Sequence, residues 1–285
     1  MSRARSSGLA AAAVSLALVG CFSSPTPLAP GIGGSVGTPS SGVLTGGAPL
    51  PRAGPGFRLY RPYTNIVWGN PRLVAALTNA AAVVERTLPG GAPLVIGDLS
   101  AERGGKIPRH HSHRTGRDAD LLFYVTTPSG APVQNPGFIR FDADGLAELE
   151  DGSFLRLDVP REWLLIKTLL SSSPDVQWLF CSRAIEALII DYARARGEEP
   201  ALVWHAETVL LQPGDSLAHD DHLHFRLSCS PEDAVRGCDS GGPHWDWLPS
   251  LPSLEALDDD TLAAIAADDP LEAPPVAAGG AAGLL

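Results

Sequence analysis

Two short histidine-rich segments, far apart in the chain, place the strongest constraint on how it can fold. The first runs from Arg109 to Asp120 and the second from His219 to Leu227. They contain six of the eight histidines of the chain: His110, His111, His113, His219, His222 and His224. Neutral imidazole is the commonest side-chain metal ligand, and three nitrogen or oxygen ligands with one open position make a catalytic zinc site. The sequence therefore predicts a fold that brings both segments to a single zinc ion.

The first 21 residues have the features of an export signal. Arg3 and Arg5 precede an apolar run over residues 9–20 that is too short to span a membrane. The Leu-Val-Gly-Cys ending resembles a bacterial lipobox and predicts lipidation of Cys21, with an ordinary cleaved signal as the alternative. The expected location is the periplasm, as an outer-membrane lipoprotein that touches the membrane only through this lipid anchor.

Composition divides the rest of the chain into three parts. Residues 22–56 are rich in Ser, Pro, Gly and Thr and nearly uncharged, which predicts a flexible tether. Residues 57–250 form the expected folded domain, and residues 251–285 an acidic, Ala- and Pro-rich tail that is expected to be disordered. The net charge of −11 and the lack of a basic stripe exclude nucleic acid as a partner.

Three cysteines remain after Cys21. Cys229 and Cys238 are close in sequence and bracket a short loop, so in an exported protein they are predicted to form a disulfide. Cys181 follows an apolar run and is expected to be a buried thiol.

Hydrophobic periodicity predicts helices mixed irregularly with short strands. Asn70 and Pro71 mark the start of one helix, and two more are expected over residues 160–170 and 182–196. Strands are expected over residues 94–96, 119–125, 176–180, 201–205 and 222–227. This order favours an α+β fold in which an antiparallel sheet is flanked by helices, with the zinc site on one face of the sheet.

Strand geometry sharpens the prediction for the two histidine segments. Alternation puts His222, His224 and Arg226 on one face, so one imidazole can bind the metal while its neighbour contacts water or substrate. In the first segment Gly116 allows a tight backbone path toward Asp120, whose carboxylate is expected at a sheet edge. Asp118 is either a further ligand or an acceptor that orients a ligand, and Asp220 and Asp221 can accept imidazole N–H bonds.

The spacing of these residues resembles that of a known family. His110-x-x-His113-x-x-Gly116-x-Asp118-x-Asp120, followed by His219-x-x-His222-x-His224, is similar to the penicillin-insensitive murein endopeptidases, as are Ile96-Gly97-Asp98 and Gly104-Gly105. That family belongs to the zinc peptidases of the lysostaphin, D-Ala-D-Ala metallopeptidase and hedgehog group. The resemblance implies one Zn²⁺ per chain, held by His113, Asp120 and His224. It further implies that His222 is the base or transition-state stabiliser, and that His110 and His219 contact the water or the developing oxyanion.

The resemblance also implies a substrate and an activity. The partner is peptidoglycan, and metal-activated water would hydrolyse its cross-links between D-alanine and meso-diaminopimelate. A D,D-carboxypeptidase or dipeptidase of the same group is one alternative, and a non-catalytic peptidoglycan-binding lipoprotein is another.

The remaining histidines, arginines and tryptophans are interpreted as structural or solvated. We expect His111 to be exposed, His205 to be a buried imidazole with a hydrogen-bond partner, and Arg103 and Arg109 to be solvated. The tryptophans are interpreted as packing residues rather than as a sugar platform: Trp163 and Trp178 in the core, Trp245 and Trp247 closing the end of the domain.

Overall fold

The computed structural model describes residues 33–214 and 216–251. The predicted export signal with Cys21, the first part of the predicted tether and all but the first residue of the predicted tail lie outside the described residues. No helix among the described residues is both long and apolar enough to cross a membrane.

Within the described residues, helices and short strands follow one another irregularly. The helices are α1 (Pro71–Thr87), α2 (Val159–Ser172), α3 (Arg183–Ala195), α4 (Pro200–Val209) and α5 (Pro231–Val235). The strands are β1 (Gly34–Thr38), β2 (Ser41–Thr45), β3 (Ala48–Pro49), β4 (Ala53–Gly54), β5 (Phe57–Leu59), β6 (Trp68–Gly69), β7 (Leu94–Ile96), β8 (Asp118–Leu122), β9 (Val125–Thr126), β10 (Pro132–Val133), β11 (Leu146–Glu148), β12 (Phe154–Leu157), β13 (Val176–Phe180), β14 (Leu210–Leu211) and β15 (Leu223–Leu227).

Side-chain caps explain where the helices begin. The Asn70 side chain accepts a hydrogen bond from the backbone N–H of Arg72, and Pro71 opens α1, as predicted. The predicted strand over residues 201–205 is wrong, because those residues lie in α4. Glu199 caps that helix by accepting from the N–H of Leu202, and Pro200 opens it. The apolar Ala-Leu-Val-Trp run therefore belongs to a helix. So short an apolar run does not distinguish a helix from a strand, whereas the cap at its start does.

A seven-stranded sheet forms the centre of the fold, in the order β14-β13-β15-β8-β7-β5-β4. Four of its pairs are antiparallel, but β13–β14 and β5–β7 are parallel. The α+β class is confirmed, whereas the sheet is mixed rather than antiparallel. The parallel pairs arise because α3 and α4 separate β13 from β14, and α1 separates β5 from β7, so each connection crosses over. Smaller sheets pair β1 with β2, β3 with β6, and β10-β9-β12-β11.

The two faces of the central sheet differ in chemistry. Leu121 of β8, Phe225 of β15 and Leu179 of β13 are fully buried in one core cluster with residues of α1, α2, α3 and α4. Because side chains alternate along a strand, the intervening residues point to the opposite face. They are Asp118, Asp120, His224, Arg226, Trp178 and Phe180. We call this side the open face of the sheet.

The N-terminal part of the domain contradicts the predicted tether. From Gly34 onward the chain forms the hairpin β1–β2, in which Val36, Val43 and Leu44 are buried. The tether prediction is therefore wrong beyond residue 33, and the folded domain begins well before Phe57. The many small residues serve close packing, since a Cβ on Gly42 would lie 2.2 Å from the carbonyl oxygen of Val36. This hairpin also bridges to Gly104 and to Cys238.

The predicted cysteine arrangement is confirmed. Cys229 and Cys238 form a disulfide across a separation of nine residues, just beyond β15. Cys181 is a free, fully buried thiol at the end of β13.

Candidate metal centre

The two histidine segments meet on the open face of the central sheet. Strands β8 and β15 are antiparallel neighbours, and Asp120 lies directly opposite His224 in their register. Nδ1 of His224 is 3.2 Å from Oδ1 of Asp120. Nε2 of His113, from the loop before β8, is also 3.2 Å from that oxygen. The three residues that the family resemblance names as ligands are therefore brought together from distant parts of the chain.

Hydrogen bonds to the outer ring nitrogens orient both imidazoles. Nδ1 of His113 is 3.0 Å from the carbonyl oxygen of Leu99, so this nitrogen donates and Nε2 keeps its lone pair. Nε2 of His224 donates in the same way to Oδ1 of Asp118 at 2.9 Å, which leaves the Nδ1 lone pair free. Both free lone pairs therefore face Asp120, as in metal sites where outer partners fix the ligand tautomers.

Unpartnered buried atoms provide an independent test of metal binding. Nε2 of His113 and both carboxylate oxygens of Asp120 are buried and have no hydrogen-bond partner among the described residues. A buried polar atom without a partner costs about 1–3 kcal/mol, so converging atoms of this kind need an explanation. Two imidazole nitrogens and one carboxylate oxygen are the donor set that a catalytic zinc ion prefers. The residues present therefore fit the metal that the resemblance implies.

Asp120 is more deeply buried than the sequence suggested. It was expected at a sheet edge, but β8 lies between β15 and β7, and Asp120 is 0 % exposed. Burial alone would raise the pKa of Asp120, but His113 and then His222 beside it lower it more, and the pKa lies well below its usual range. The carboxylate therefore stays ionised although it is inside the protein.

The contacts of Asp118 favour the orienting role among the two left open. Its Oδ1 accepts from Nε2 of His224 and, at 2.5 Å, from Nε of Arg226. Burial raises the pKa of Asp118, but Arg226 and then His224 lower it far more, so it stays ionised. Asp118 thus holds the imidazole of His224 rather than facing the same point as Asp120.

His222 lies beside the same carboxylate. Its Nε2 is 3.4 Å from Oδ1 of Asp120, and its Nδ1 is 2.6 Å from Oδ1 of Asp221. Burial lowers the pKa of His222, but the negative charge of Asp120 dominates and raises it to about 10. Asp221 therefore accepts an imidazole N–H as expected, whereas Asp220 instead lies 3.9 Å from Arg140. The ring of Phe138 packs edge-on against His222, with centroids 5.3 Å apart.

His110 lies near Asp120 and is hydrogen-bonded to Asp98. Nε2 of His110 is 3.0 Å from Oδ2 of Asp98, and its Nδ1 is 3.8 Å from Oδ2 of Asp120. Asp98 also pairs with Arg61 at 3.1 Å and with Arg109 at 3.3 Å. Burial raises the pKa of Asp98, but these partners outweigh it and the pKa is lowered. Arg109 is solvated as expected, with its side chain 60 % exposed, and it also makes this ion pair.

His219 completes the group of site histidines from the loop before β15. Its ring centroid is 4.9 Å from that of His222 and 5.6 Å from that of His224. Partial burial lowers the pKa of His219 to about 4, and the neighbouring His222 and His224 lower it further. Its imidazole is therefore neutral near pH 7. His111 is exposed, as expected.

Backbone strain is concentrated in the same place. Among the described residues, the non-glycine residues with positive φ are Arg109 (67°), His113 (64°) and His219 (52°). This left-handed conformation costs an L residue roughly 1–2 kcal/mol and persists only where the surroundings enforce it. Gly116 has a φ of 72°, which confirms the tight path expected there. Contacts elsewhere in the fold therefore offset the free-energy cost of holding the site histidines in this conformation.

A buried arginine ties the two segments together, and the sequence analysis missed it. Arg117 is 0 % exposed and donates to the carbonyl oxygens of Leu227 and Asp239 and to the hydroxyl of Thr115. Burial lowers the pKa of Arg117 to about 10, so it remains charged at neutral pH. Asp98 and Arg61 were also not predicted as site residues. Only Asp98 had a signal, because it closely follows the buried strand β7.

Comparison with known proteins gives one consistent result. The family model described as Penicillin-insensitive murein endopeptidase matches residues 35–244, which include both histidine segments. Three relatives with that same name are similar to the chain. The protein of Haemophilus influenzae is 28% identical over 228 residues, covering 77% of this chain and 71% of the relative. That of Pectobacterium atrosepticum is 27% identical over 244 residues (80% and 79%), and that of Klebsiella pneumoniae is 32% identical over 210 residues (70% and 68%).

Proposed function

Since this chain belongs to the penicillin-insensitive murein endopeptidase family, we propose that it hydrolyses peptidoglycan cross-links between D-alanine and meso-diaminopimelate with the help of one Zn²⁺. The observation that carries this proposal is the convergence of unpartnered buried atoms of His113 and Asp120 with the free Nδ1 of His224. The names of the relatives support peptidoglycan as the substrate.

His113, Asp120 and His224 would hold the ion. Zinc bound there would polarise the scissile carbonyl and lower the pKa of water toward about 7. The protein supplies the orientation: the Leu99 carbonyl and the Asp118 carboxylate keep both imidazoles in the tautomer that presents a lone pair. The Ser100 hydroxyl donates to the carbonyl of His113 and helps to hold the strained backbone there.

His222 is placed to move the proton of the attacking water. Its Nδ1 is held by Asp221, which leaves Nε2 beside Asp120 as the atom that can take up a proton. A hydrogen-bonded carboxylate makes an imidazole a stronger base and fixes its ring. The charge of Asp120 raises the pKa of His222 to about 10, and a cation held by Asp120 would offset that charge and free Nε2 to act as a base. We therefore assign His222 as the general base or, where it stays protonated, as the stabiliser of the developing negative charge, with Asp221 as the group that positions it.

His110 and His219 are proposed to contact the attacking water or the oxygen on which negative charge develops. Asp98 anchors His110 from behind, and Arg61 and Arg109 hold Asp98. Nδ1 of His219 donates to the carbonyl oxygen of Leu217 at 2.8 Å, and the ring is neutral near pH 7, so its Nε2 keeps a lone pair that can accept a hydrogen bond from the attacking water.

Two further parts of the proposal concern location. Lipidation of Cys21 and residence in the periplasm rest on the sequence of the first 21 residues. Labelling with a radioactive fatty acid, compared between the wild type and Cys21→Ala, tests the anchor directly. Equal labelling of the two would refute it.

Digestion of purified sacculi tests the activity. The full chain, with and without a chelator and added zinc, should convert cross-linked muropeptide dimers into monomers, as separated by liquid chromatography. His113→Ala should leave the dimers intact, whereas the exposed neighbour His111→Ala should not differ from the wild type. Release of terminal D-alanine without loss of dimers would assign a D,D-carboxypeptidase instead. Dimers that persist although zinc is bound would refute hydrolysis and leave a binding protein.

A further inference from the structure

A row of aromatic side chains leads away from the candidate metal centre across the open face. Phe180 of β13 lies opposite His224 in the strand register, and Trp178 lies opposite Arg226. The ring centroid of Phe180 is 5.5 Å from that of His224, and Trp178 stacks on Phe180 at 5.5 Å. The row therefore begins in contact with a residue proposed to bind zinc.

Three more tryptophans extend the row in steps of similar length. Trp245 packs edge-on against Trp178 at 5.2 Å and is stacked on Trp247 at 5.2 Å. Trp247 in turn meets Trp204 of α4 at 5.7 Å. We call Phe180, Trp178, Trp245, Trp247 and Trp204 the aromatic row. Trp204 is 60 % exposed, and the other four are half-buried.

Core packing accounts for only part of this arrangement, because Trp247 also packs against the core cluster whereas Trp204 does not. The apolar face of α4 is formed by Val203, Ala206 and Val209, so Trp204 points away from the interior. Trp178 was interpreted as a core residue, but it lies on the open face and is partly exposed. A contiguous row of partly exposed rings that ends in the exposed Trp204 is a candidate binding surface.

The indoles are held in place before any ligand arrives. Nε1 of Trp245 donates to the carbonyl of Gln177 at 3.1 Å, and Nε1 of Trp247 donates to the carbonyl of Val176 at 3.5 Å. These bonds also satisfy backbone carbonyls of β13, so both tryptophans do close the end of the domain as expected. Their rings are thereby fixed at little entropic cost for binding.

We propose that the aromatic row binds the polysaccharide strand of the peptidoglycan substrate. The proposal rests on the proposed function, because it extends the same substrate beyond the scissile bond. Pyranose rings carry C–H groups on their flat faces, which pack on the electron-rich face of an indole. The exposed side chains of His244 and Asp246 flank Trp245 and can bond sugar hydroxyl or amide groups.

Distance and charge both favour a sugar strand. The stem peptide places three residues between the sugar and the scissile bond, an extended length of about 10 Å. About two ring steps separate His224 from Trp178, so a sugar linked to a stem at the metal centre reaches the row. The net charge of −11 and Asp246 beside the rings oppose an anionic lipid surface, whereas N-acetyl sugars are uncharged.

A comparison of two substrates tests this inference on the full chain. The variants are Trp204→Ala, the conservative Trp204→Tyr, and Phe154→Ala as a control, since Phe154 is 44 % exposed in the separate sheet of β12. The ratio of kcat/KM on sacculi to kcat/KM on a sugar-free cross-linked peptide should fall about tenfold in Trp204→Ala, mainly through KM. Trp204→Tyr should recover most of it, and Phe154→Ala should match the wild type.

Binding to a peptide-free N-acetyl sugar oligomer separates this inference from the catalytic proposal. Uncharged oligomers of β-1,4-linked N-acetylglucosamine should bind the wild type about tenfold more tightly than Trp204→Ala, with unfolding temperatures unchanged. That result supports the aromatic row even if no cross-link is cleaved. Equal binding by both proteins, or a loss of affinity only for phosphatidylglycerol vesicles, overturns the inference while leaving hydrolysis untouched.

Discussion

Buried carboxylates on the two sides of the central sheet have pKa values that are shifted in opposite directions. Asp120 on the open face is ringed by His113 and His222, and its pKa lies well below the usual range. Glu162 of α2, on the helix-covered side, is equally buried, but the charge that acts on it there belongs to another acid, Asp158. Burial therefore raises the pKa of Glu162 to about 8, against a weaker lowering by the N–H of Tyr124. One carboxylate is kept ionised and the other is kept largely protonated at neutral pH.

This difference shows how one strand can serve stability and chemistry at once. Alternate residues of β15 face opposite ways: Phe225 packs into the core, while His224 faces Asp120. The buried ring of Phe225 is matched by apolar contact, whereas the buried carboxylate oxygens of Asp120 have no hydrogen-bond partner among the described residues. The two sides should consequently respond to substitution in different observables.

The largest effect is expected from removing a proposed ligand on the open face. His113→Ala should lower the rate of dimer cleavage at least 10⁴-fold, or roughly 5.5 kcal/mol, because the proposed ion loses one of three ligands. Bound zinc, measured by mass spectrometry of the dialysed protein, should fall with it. The metal-free unfolding free energy should fall only by about 1–2 kcal/mol, because the bond from Nδ1 to the Leu99 carbonyl is lost while the unpartnered Nε2 is removed. Activity and zinc content equal to those of His111→Ala would contradict the ligand role.

The covered side should show the reverse pattern. Phe225→Ala removes a fully buried ring next to His224 and should cost about 3–5 kcal/mol of unfolding free energy. The molecules that remain folded should still bind one zinc per chain. Denaturant unfolding and metal analysis on the same samples provide the measurement. A large loss of zinc from folded protein would mean that the two faces are not separable.

Glu162 predicts a pH dependence on the covered side. Its pKa is about 8 in the folded protein against an ordinary 4.5, so the folded state binds more protons between these values. Stability should therefore decrease as pH rises, by about 3 kcal/mol between pH 5 and pH 7 at 1.36 kcal/mol per pH unit. Glu162→Gln keeps the acceptor for Tyr124 N–H and should remove this slope. Parallel stability curves for the two proteins would refute the raised pKa.

The smallest effect is expected at the disulfide just beyond β15. Strand β15 contributes side chains to both faces of the sheet. Replacing Cys229 and Cys238 by Ser opens a loop of nine residues and should cost about 2–3 kcal/mol. Cleavage of dimers at a temperature where the variant is folded should stay close to the wild-type rate. The single variant Cys181→Ser, which removes the buried free thiol, serves as the comparison for thiol loss alone.

Local signals in the sequence predicted much of the fold. Asn70 and Pro71 located the start of α1, and apolar runs located β7 and β13, because caps and periodicity act within a few residues. The hairpin β1–β2 was mistaken for a tether, since its Gly- and Ser-rich composition hides Val36 and Val43. The burial of these two residues depends on contacts with remote segments, which composition does not encode.

The candidate site was likewise predicted where the signal was local and missed where it depended on remote contacts. Spacing and family resemblance brought His113, Asp120 and His224 forward, and the structure places them within contact of one another. The sequence misplaced Asp120 at an edge, because the neighbours of β8 come from residues 94–96 and 223–227. It also gave no hint of Arg61, whose partner Asp98 is 37 residues away.

The N-terminal hairpin has a consequence for how the protein is made. Its strands form β-bridges to Gly104 and Cys238, and the N–H of Gly37 donates to the carbonyl oxygen of Gly237. The hairpin therefore pairs with residues that are synthesised much later than the hairpin itself. A nascent polypeptide that has left the ribosome only as far as β8 holds His113 and Asp120 but not His224. The proposed ligand set is therefore complete only after most of the domain has been synthesised, shortly before the partners of the hairpin follow at Gly237 and Cys238.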